Sequence, residues 1–192
     1  MTAPEFVRYL LAERFPGRTA VTSSLRARSV AVLSMIAAAD RATRVIFCHA
    51  PDLYPESVDY RDRIIRMLRL GNVRIAGEDQ SEAVPDGIRH CEDIWSDVWG
   101  GGHIHTVQPL DRALAGFDCW ISAVYHRPYG EDPVDRVAEE GDLVRIDPLS
   151  GWDQQTVHAY LAERGLPLHP HIELKQPRPS LDGAAAVPTY HF

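Results

Sequence analysis

Cysteine is scarce. Cys48, Cys91 and Cys119 are the only three in 192 residues, too few and too scattered for a disulfide framework. A reducing, cytoplasmic setting is expected. No apolar run is long enough to cross a bilayer. The opening MTAPEFVRYLL lacks the basic flank and unbroken apolar stretch of a secretory signal. Excess positive charge is missing too. The formal net charge is -7, which argues against non-specific nucleic-acid binding but leaves room for a local basic pocket. Internal repeats are absent. Glycine is absent from the turn Ser23 to Arg28, where a phosphate-binding loop usually carries it.

What is present describes a globular chain. Hydrophobic content of 45% and charged content of 24% are ordinary, and the length suits one domain with a substantial core. Pro4 to Arg14 reads as a helix with Phe6, Leu10 and Leu11 on one face, ended by Phe15-Pro16-Gly17. Ala20 to Thr22 reads as a strand, Ser23 to Arg28 as a polar turn, and Ser29 as the cap of a helix bearing Val30, Leu33, Met35 and Ile36. Arg44 to Cys48 is an apolar run fit for a buried parallel strand. A helix from Pro55 carries Val58, Ile64, Ile65 and Leu68 and stops at Gly71. A brief strand spans Asn72 to Ala76.

Glu78 to Gly102 is polar, and a short helix there would stack Trp95 on Trp99. Pro109 to Ala115 reads as a helix closed by Gly116, Asp118 to Val124 as a strand, and Tyr125 to Glu140 as a polar loop or short helix. Leu143 to Ile146 is the last strand, and Trp152 to Glu163 a helix closed by Gly165. From Pro167 the prolines Pro167, Pro170, Pro177, Pro179 and Pro188 predict an extended arm. The organisation is thus an α/β domain over residues 1–166 and a proline-rich arm over 167–192. Alternating strands and helices make a doubly wound, mostly parallel sheet. Ligands sit at the carboxyl ends of such strands, here Thr22 to Arg28, His49 to Asp52 and Ala123 to Arg127.

Several stretches together resemble the phosphoadenosine phosphosulfate and adenosine phosphosulfate reductases, within the wider PP-loop, adenine nucleotide α-hydrolase-like group. RFPGRTAVTSS resembles the lead-in to their phosphate loop. RVIFCHAPDLYPES is similar to V-I-F-x-D-T-G-x-x-F-P-E-T, and QPLDRALAGFDCWIS to E-P-L-x-R-A-L-x-G-x-D-A-W-I-T. DLVRIDPLSGWDQQTVHAYLAERGLPLHP is similar to K-I-N-P-L-x-x-W-x-x-x-x-V-x-x-Y-I-x-x-x-x-L-P-x-x-P. The resemblance runs from about Phe15 to Pro170. It implies the family fold, an adenine nucleotide or sulfonucleotide as ligand, and a place in sulfur metabolism. Trp120, Trp152 and Tyr160 match scaffold aromatics and are expected in the core.

The site motifs depart from the pattern. Ser24-Leu25-Arg26-Ala27-Arg28-Ser29 stands where the family reads S-F-G-A-E-D or S-G-G-K-D-S, and His49-Ala50-Pro51 stands for Asp-Thr-Gly. Ala123-Val124-Tyr125-His126 stands for Gly-x-Arg-Arg, with Arg127 one place on. The candidate nucleotide-binding residues are therefore Ser23, Ser24, Arg26, Arg28, Ser29, His49, Tyr125, His126 and Arg127. The arginine heads are expected to supply charge that glycine N–H groups supply elsewhere.

Reduction of a sulfonucleotide needs a thiolate nucleophile. The family's terminal E-C-G-L-H has no counterpart in these residues. Cys48 and Cys119 sit at apolar strand positions and are expected to be buried and inert, which leaves Cys91. No catalytic residue is assigned. No two cysteines are close in sequence, so no iron–sulfur cluster is expected. His103 with His105 and His169 with His171 could each chelate a metal from a strand. Lacking a zinc spacing, they are read as exposed loop histidines, with no metal.

Three functions stay open. One is a divergent sulfonucleotide reductase-like protein without an internal catalytic cysteine motif, drawing its thiol from another protein. The second is a non-catalytic subunit that stabilises or regulates a partner, or assembles with copies of itself, through Trp95, Trp99 and the tail. The third is adenylation or sulfur transfer, against which Arg26 in place of glycine argues.

Overall fold

The computed structural model describes residues 1–48, 55–76, 113–123 and 136–170. Helix α1 (Ala3–Tyr9) opens on a capping box: the Thr2 hydroxyl accepts from the Glu5 amide, and the Glu5 carboxylate accepts from the Thr2 amide at 2.8 Å. It runs on into a π-helical segment, Leu10–Arg14, closed by a Phe15 amide to Leu10 carbonyl bond of 2.8 Å. The expected helix over Pro4 to Arg14 is thus present, with its last turn widened.

Six strands form one sheet: β1 (Thr19–Ser23), β2 (Arg44–Cys48), β3 (Val73–Ala76), β4 (Cys119–Ser122), β5 (Val137–Glu140) and β6 (Leu143–Ile146). Their order is β3-β2-β1-β4-β6-β5. All neighbours are parallel except β5 and β6. The mostly parallel α/β reading therefore holds. From β1 the chain moves outward through β2 to β3, then returns to place β4 on β1's other side. The order reverses between β1 and β4, the switch point where doubly wound sheets open a crevice.

Helices α2 (Ala27–Ala39), α3 (Pro55–Leu68) and α4 (Gln154–Glu163) pack with α1 around the core. Val21, Val45, Phe47, Ile121 and Ile146 face them and are almost fully buried. α2 is buried along nearly its whole length and packs against both α1 and α4. Trp120 and Tyr160 are buried and Trp152 packs against the core, as their scaffold reading predicts.

Several boundaries differ from expectation. Ser29 does not cap α2: the cap is Arg26, in extended backbone with no side-chain cap bond, and Ser29 lies inside the first turn. The Trp152 to Glu163 helix begins at Gln154, because the Asp153 carboxylate accepts from the Thr156 amide at 2.7 Å. Residues 137–140 form strand β5, not loop or helix. Acidic residues disfavour a strand, but a two-residue turn with Gly141 at φ 67 folds VAEE back onto β6.

α3 ends before Gly71, in a Schellman motif: the Leu70 amide bonds the Ile65 carbonyl at 3.1 Å, and Arg69 takes the left-handed position at φ 52. Gly71 serves a close approach, since a Cβ there would lie 3.2 Å from the Arg41 carbonyl oxygen. Of the expected Pro109 to Ala115 helix, Ala113 to Ala115 are described; Ala113 and Leu114 are helical and buried, while Ala115 is already an exposed turn residue, followed by Gly116 at φ 87.

Candidate functional site at the β1–β4 switch point

The site forms where β1 hands over to α2. Ser23 faces α2 and the turn closes on itself through hydroxyls. The Leu25 amide donates to Ser23 Oγ at 3.3 Å, Ser23 Oγ shares a hydrogen bond with Ser29 Oγ at 3.1 Å, and Ser29 Oγ donates to the Arg26 carbonyl at 2.9 Å. With one proton per hydroxyl, the relay runs one way, from the Leu25 amide through Ser23 and Ser29 to Arg26. Leu25 is buried at φ 63, a conformation that costs a branched residue about 1 kcal/mol or more. The sequence alone did not mark that position.

The relay occupies the Ser23 and Ser29 hydroxyls within the turn. The Ser24 hydroxyl, by contrast, has no hydrogen-bond partner among the described residues, although Ser24 is only 6% exposed. Arg26 is half-buried at the helix start. α2 has neither a side-chain cap nor an acidic residue in its first turn. The positive end of its dipole therefore lies at the crevice with no acidic residue of its own first turn to offset it. Such a terminus suits a phosphate or sulfate.

Arg28 is placed differently from an anion contact. Its guanidinium donates to Asp147 Oδ2 at 3.0 Å, to the Leu149 carbonyl at 3.1 Å and to the Trp152 carbonyl at 2.9 Å. Asp147 follows β6 and is 1% exposed. Burial raises its carboxyl above the ordinary range, and the Arg28 charge and the Leu149 amide pull against that rise. Sequence reasoning named Arg28 but missed Asp147, whose signal was a carboxylate at the end of a strand on the ligand edge.

Across the switch point, Ser122 and Ala123 end β4 and are buried. Thr22 pairs with Ser122 in register, and Trp120 Nε1 donates to Thr22 Oγ1 at 2.9 Å. At the opposite end of the same strand pair, Arg18 forms an ion pair with Asp118. His49, Tyr125, His126 and Arg127 lie outside the described residues, as do Cys91, Trp95, Trp99, His103, His105 and His171.

Cys119 is fully buried, as expected, and burial pushes its thiol up to about 12. That is the opposite of an activated nucleophile. His169 overturns its reading as an exposed loop histidine. It is 2% exposed, with Nε2 at 3.0 Å from Ser57 Oγ and its ring edge-on to Tyr60 at 4.8 Å. Tyr60 Oη in turn donates to the Pro167 carbonyl at 2.8 Å. Pro167 and His169 thus both contact α3. No helix among the described residues is long and apolar enough to cross a membrane.

Comparison with known proteins finds one family model, the phosphoadenosine phosphosulfate reductase domain, matching residues 18–175. A phosphoadenosine 5'-phosphosulfate reductase of Alkalilimnicola ehrlichii is 28% identical over 176 residues, covering 88% of this chain and 70% of that protein. An adenosine 5'-phosphosulfate reductase of Chelativorans sp. is also 28% identical, over the same share of both chains. Among solved structures, the phosphoadenylyl-sulfate reductase of Candida auris, a phosphate complex, superposes with a TM-score of 0.65 at 19% identity, over 91% of this chain and 85% of that one. The FMN adenylyltransferase of Candida glabrata superposes at 0.52 with 11% identity, over 83% of this chain and 55% of that one.

Proposed function

The chain belongs to the phosphoadenosine phosphosulfate reductase domain family, and from that premise we propose that it binds an adenine nucleotide, in free or sulfated form, in the crevice between β1 and β4. The observation that carries this reading is the start of α2. Its cap residue Arg26 makes no side-chain cap bond, its first turn carries no acidic residue, and it is set at the switch point of the sheet. The α2 amides and the Ser24 hydroxyl donate to the anionic group. Arg26 adds charge from the loop, and His49, Tyr125, His126 and Arg127, which follow β2 and β4 in sequence, are proposed as further contacts to the nucleotide.

The reaction in view is reduction of the sulfonucleotide. A thiolate attacks the sulfur, the sulfur–oxygen bond to the phosphate breaks, and the nucleotide leaves. A second thiol then releases sulfite and closes a disulfide, so a dithiol supplies both electrons. Cys119 is unsuited to that attack. In this reading Cys91 is not the nucleophile either, and the thiol comes from a separate protein dithiol, without an iron–sulfur cluster, in the cytoplasm. Thermal unfolding with adenosine phosphosulfate, phosphoadenosine phosphosulfate, AMP and adenosine 3',5'-bisphosphate tests the binding step. A raised Tm with one of them is expected, and no rise with any at millimolar concentration removes the nucleotide reading. Sulfite release that persists after all three cysteines are replaced supports an external thiol.

A second reading draws on Arg28. Its charge is already matched by Asp147, which is the kind of change a non-catalytic subunit that regulates a partner can accept. Co-purification and light scattering separate the two. A monomer that binds nucleotide tightly speaks for the first.

A further inference from the structure

Arg28 reaches past β4. It sits in the first turn of α2, beside β1, yet its hydrogen bonds go to the turn that follows β6. In the order β1-β4-β6, the guanidinium therefore spans the carboxyl end of β4. One fork holds a carboxylate and two carbonyls. Asp147 also organises its own turn, accepting the Leu149 amide on Oδ1 at 2.9 Å. The same turn is closed by a Trp152 amide to Leu149 carbonyl bond of 2.8 Å and by Gly151 at φ 87.

The start of α2 is thus held from two sides. The Ser23–Ser29 relay ties it to β1, and Arg28 ties it to β6. Arg26, at the cap itself, makes no side-chain cap bond. We infer that Arg28 and Asp147 are a positioning pair: they fix the first turn of α2 over the crevice, so that its N–H groups point at the ligand's anionic group. The Arg28 charge is matched by Asp147 rather than by the ligand. This inference rests on the nucleotide reading only for its consequence in binding.

A fixed first turn matters because a shift of about 1 Å in a positioning group is enough to lose much of its effect. Lysine cannot replace the fork, since one ammonium does not serve three acceptors in a plane. An apolar pair can replace the ion pair without loss of stability, because desolvation of buried charges offsets much of their attraction.

The test uses the full chain as wild type, R28K and R28L/D147L. Three quantities are read: Tm, amide hydrogen exchange at Val30 and Ala31, whose bonds close the first turn of α2, and calorimetric affinity for adenosine phosphosulfate. R28L/D147L is expected to keep a Tm near wild type while exchange at Val30 and Ala31 rises about tenfold. Nucleotide affinity is expected to fall about tenfold in the same variant. R28K is expected to move exchange and affinity in the same direction, and it decides the matter if the double variant does not fold. Wild-type exchange at Val30 and Ala31 in a folded variant overturns the inference. So does wild-type affinity in a variant whose Tm is retained. If the wild type binds no nucleotide, the functional reading fails, and the exchange comparison at Val30 and Ala31 alone still decides whether the pair positions α2.

Discussion

Trp120 of β4 donates its indole N–H to the hydroxyl of Thr22 on β1 at 2.9 Å. Ser23 faces α2, so by strand alternation Thr22 and Trp120 share the opposite sheet face. The bond joins the two strands whose carboxyl ends flank the crevice. Thr22→Val leaves a buried indole N–H unpartnered and is expected to cost about 1–3 kcal/mol. Thr22→Ser restores most of it. Urea unfolding measures both, and equal stability for valine and threonine would falsify the bond's structural role.

Arg69 and Gly165 occupy the same position in two Schellman motifs, at φ 52 and φ 62. The second closes with a Leu166 amide to Leu161 carbonyl bond of 3.0 Å. Only glycine adopts this conformation without strain. Arg69→Gly is therefore expected to stabilise the chain by about 0.5–1 kcal/mol, and Gly165→Ala to destabilise it by about 1 kcal/mol. Thermal melts of both variants check the opposite signs.

The cap of α4 responds to pH with a definite sign. Hydrogen bonds from the Thr156 hydroxyl and amide hold the Asp153 carboxyl below its ordinary value of 3.8. A lowered folded pKa contributes stability that is present above 3.8 and lost as pH falls through the folded value. Asp153→Ala should lower Tm at neutral pH, and the gap to wild type should close in strong acid. A gap of constant size from neutral to acid pH speaks against this cap.

Cys119 is expected to resist alkylation in the native state at mildly alkaline pH, because its thiol is buried and pushed up to about 12. Mass spectrometry after iodoacetamide treatment, with and without denaturant, reads this directly. Cys119→Ala should bind nucleotide as the wild type does. Rapid native labelling of Cys119 contradicts its place in the core.

Tyr60 and His169 anchor the residues after α4 onto α3. Tyr60→Phe removes the bond to Pro167 and is expected to cost about 0.5–1.5 kcal/mol. His169→Ala empties a buried site and leaves Ser57 without its imidazole, so a larger loss is expected. Limited proteolysis should then cut more readily near residue 167. Unchanged cleavage and stability in both variants would rule out the anchor.

Hydrophobic period made the core strands readable. Val45, Ile46 and Phe47 form an apolar run that buries on both faces, and Leu143, Val144 and Ile146 supply a shorter, part-buried one. Strand β5 was illegible because VAEE carries no such signal; its strand character comes from Gly141 and from β6. Ser29 misled as a cap because a serine before an apolar run normally serves that role. Here its hydroxyl turns back to Ser23 and Arg26. Arg28 was legible as charge but not as geometry. Its partner Asp147 lies 119 residues away, and no local pattern links them. His169 failed in the same way, since burial among α3 side chains is a tertiary fact.

The burial of α2 has a thermodynamic consequence. Packed on α1, α4 and β1, the helix is buried along nearly its whole length before a ligand arrives. Its amide donors are ordered before binding, so the ordering cost was met during folding. Any change in heat capacity or local mobility on ligand binding should therefore come from groups around the crevice rather than from the helix that receives the anion.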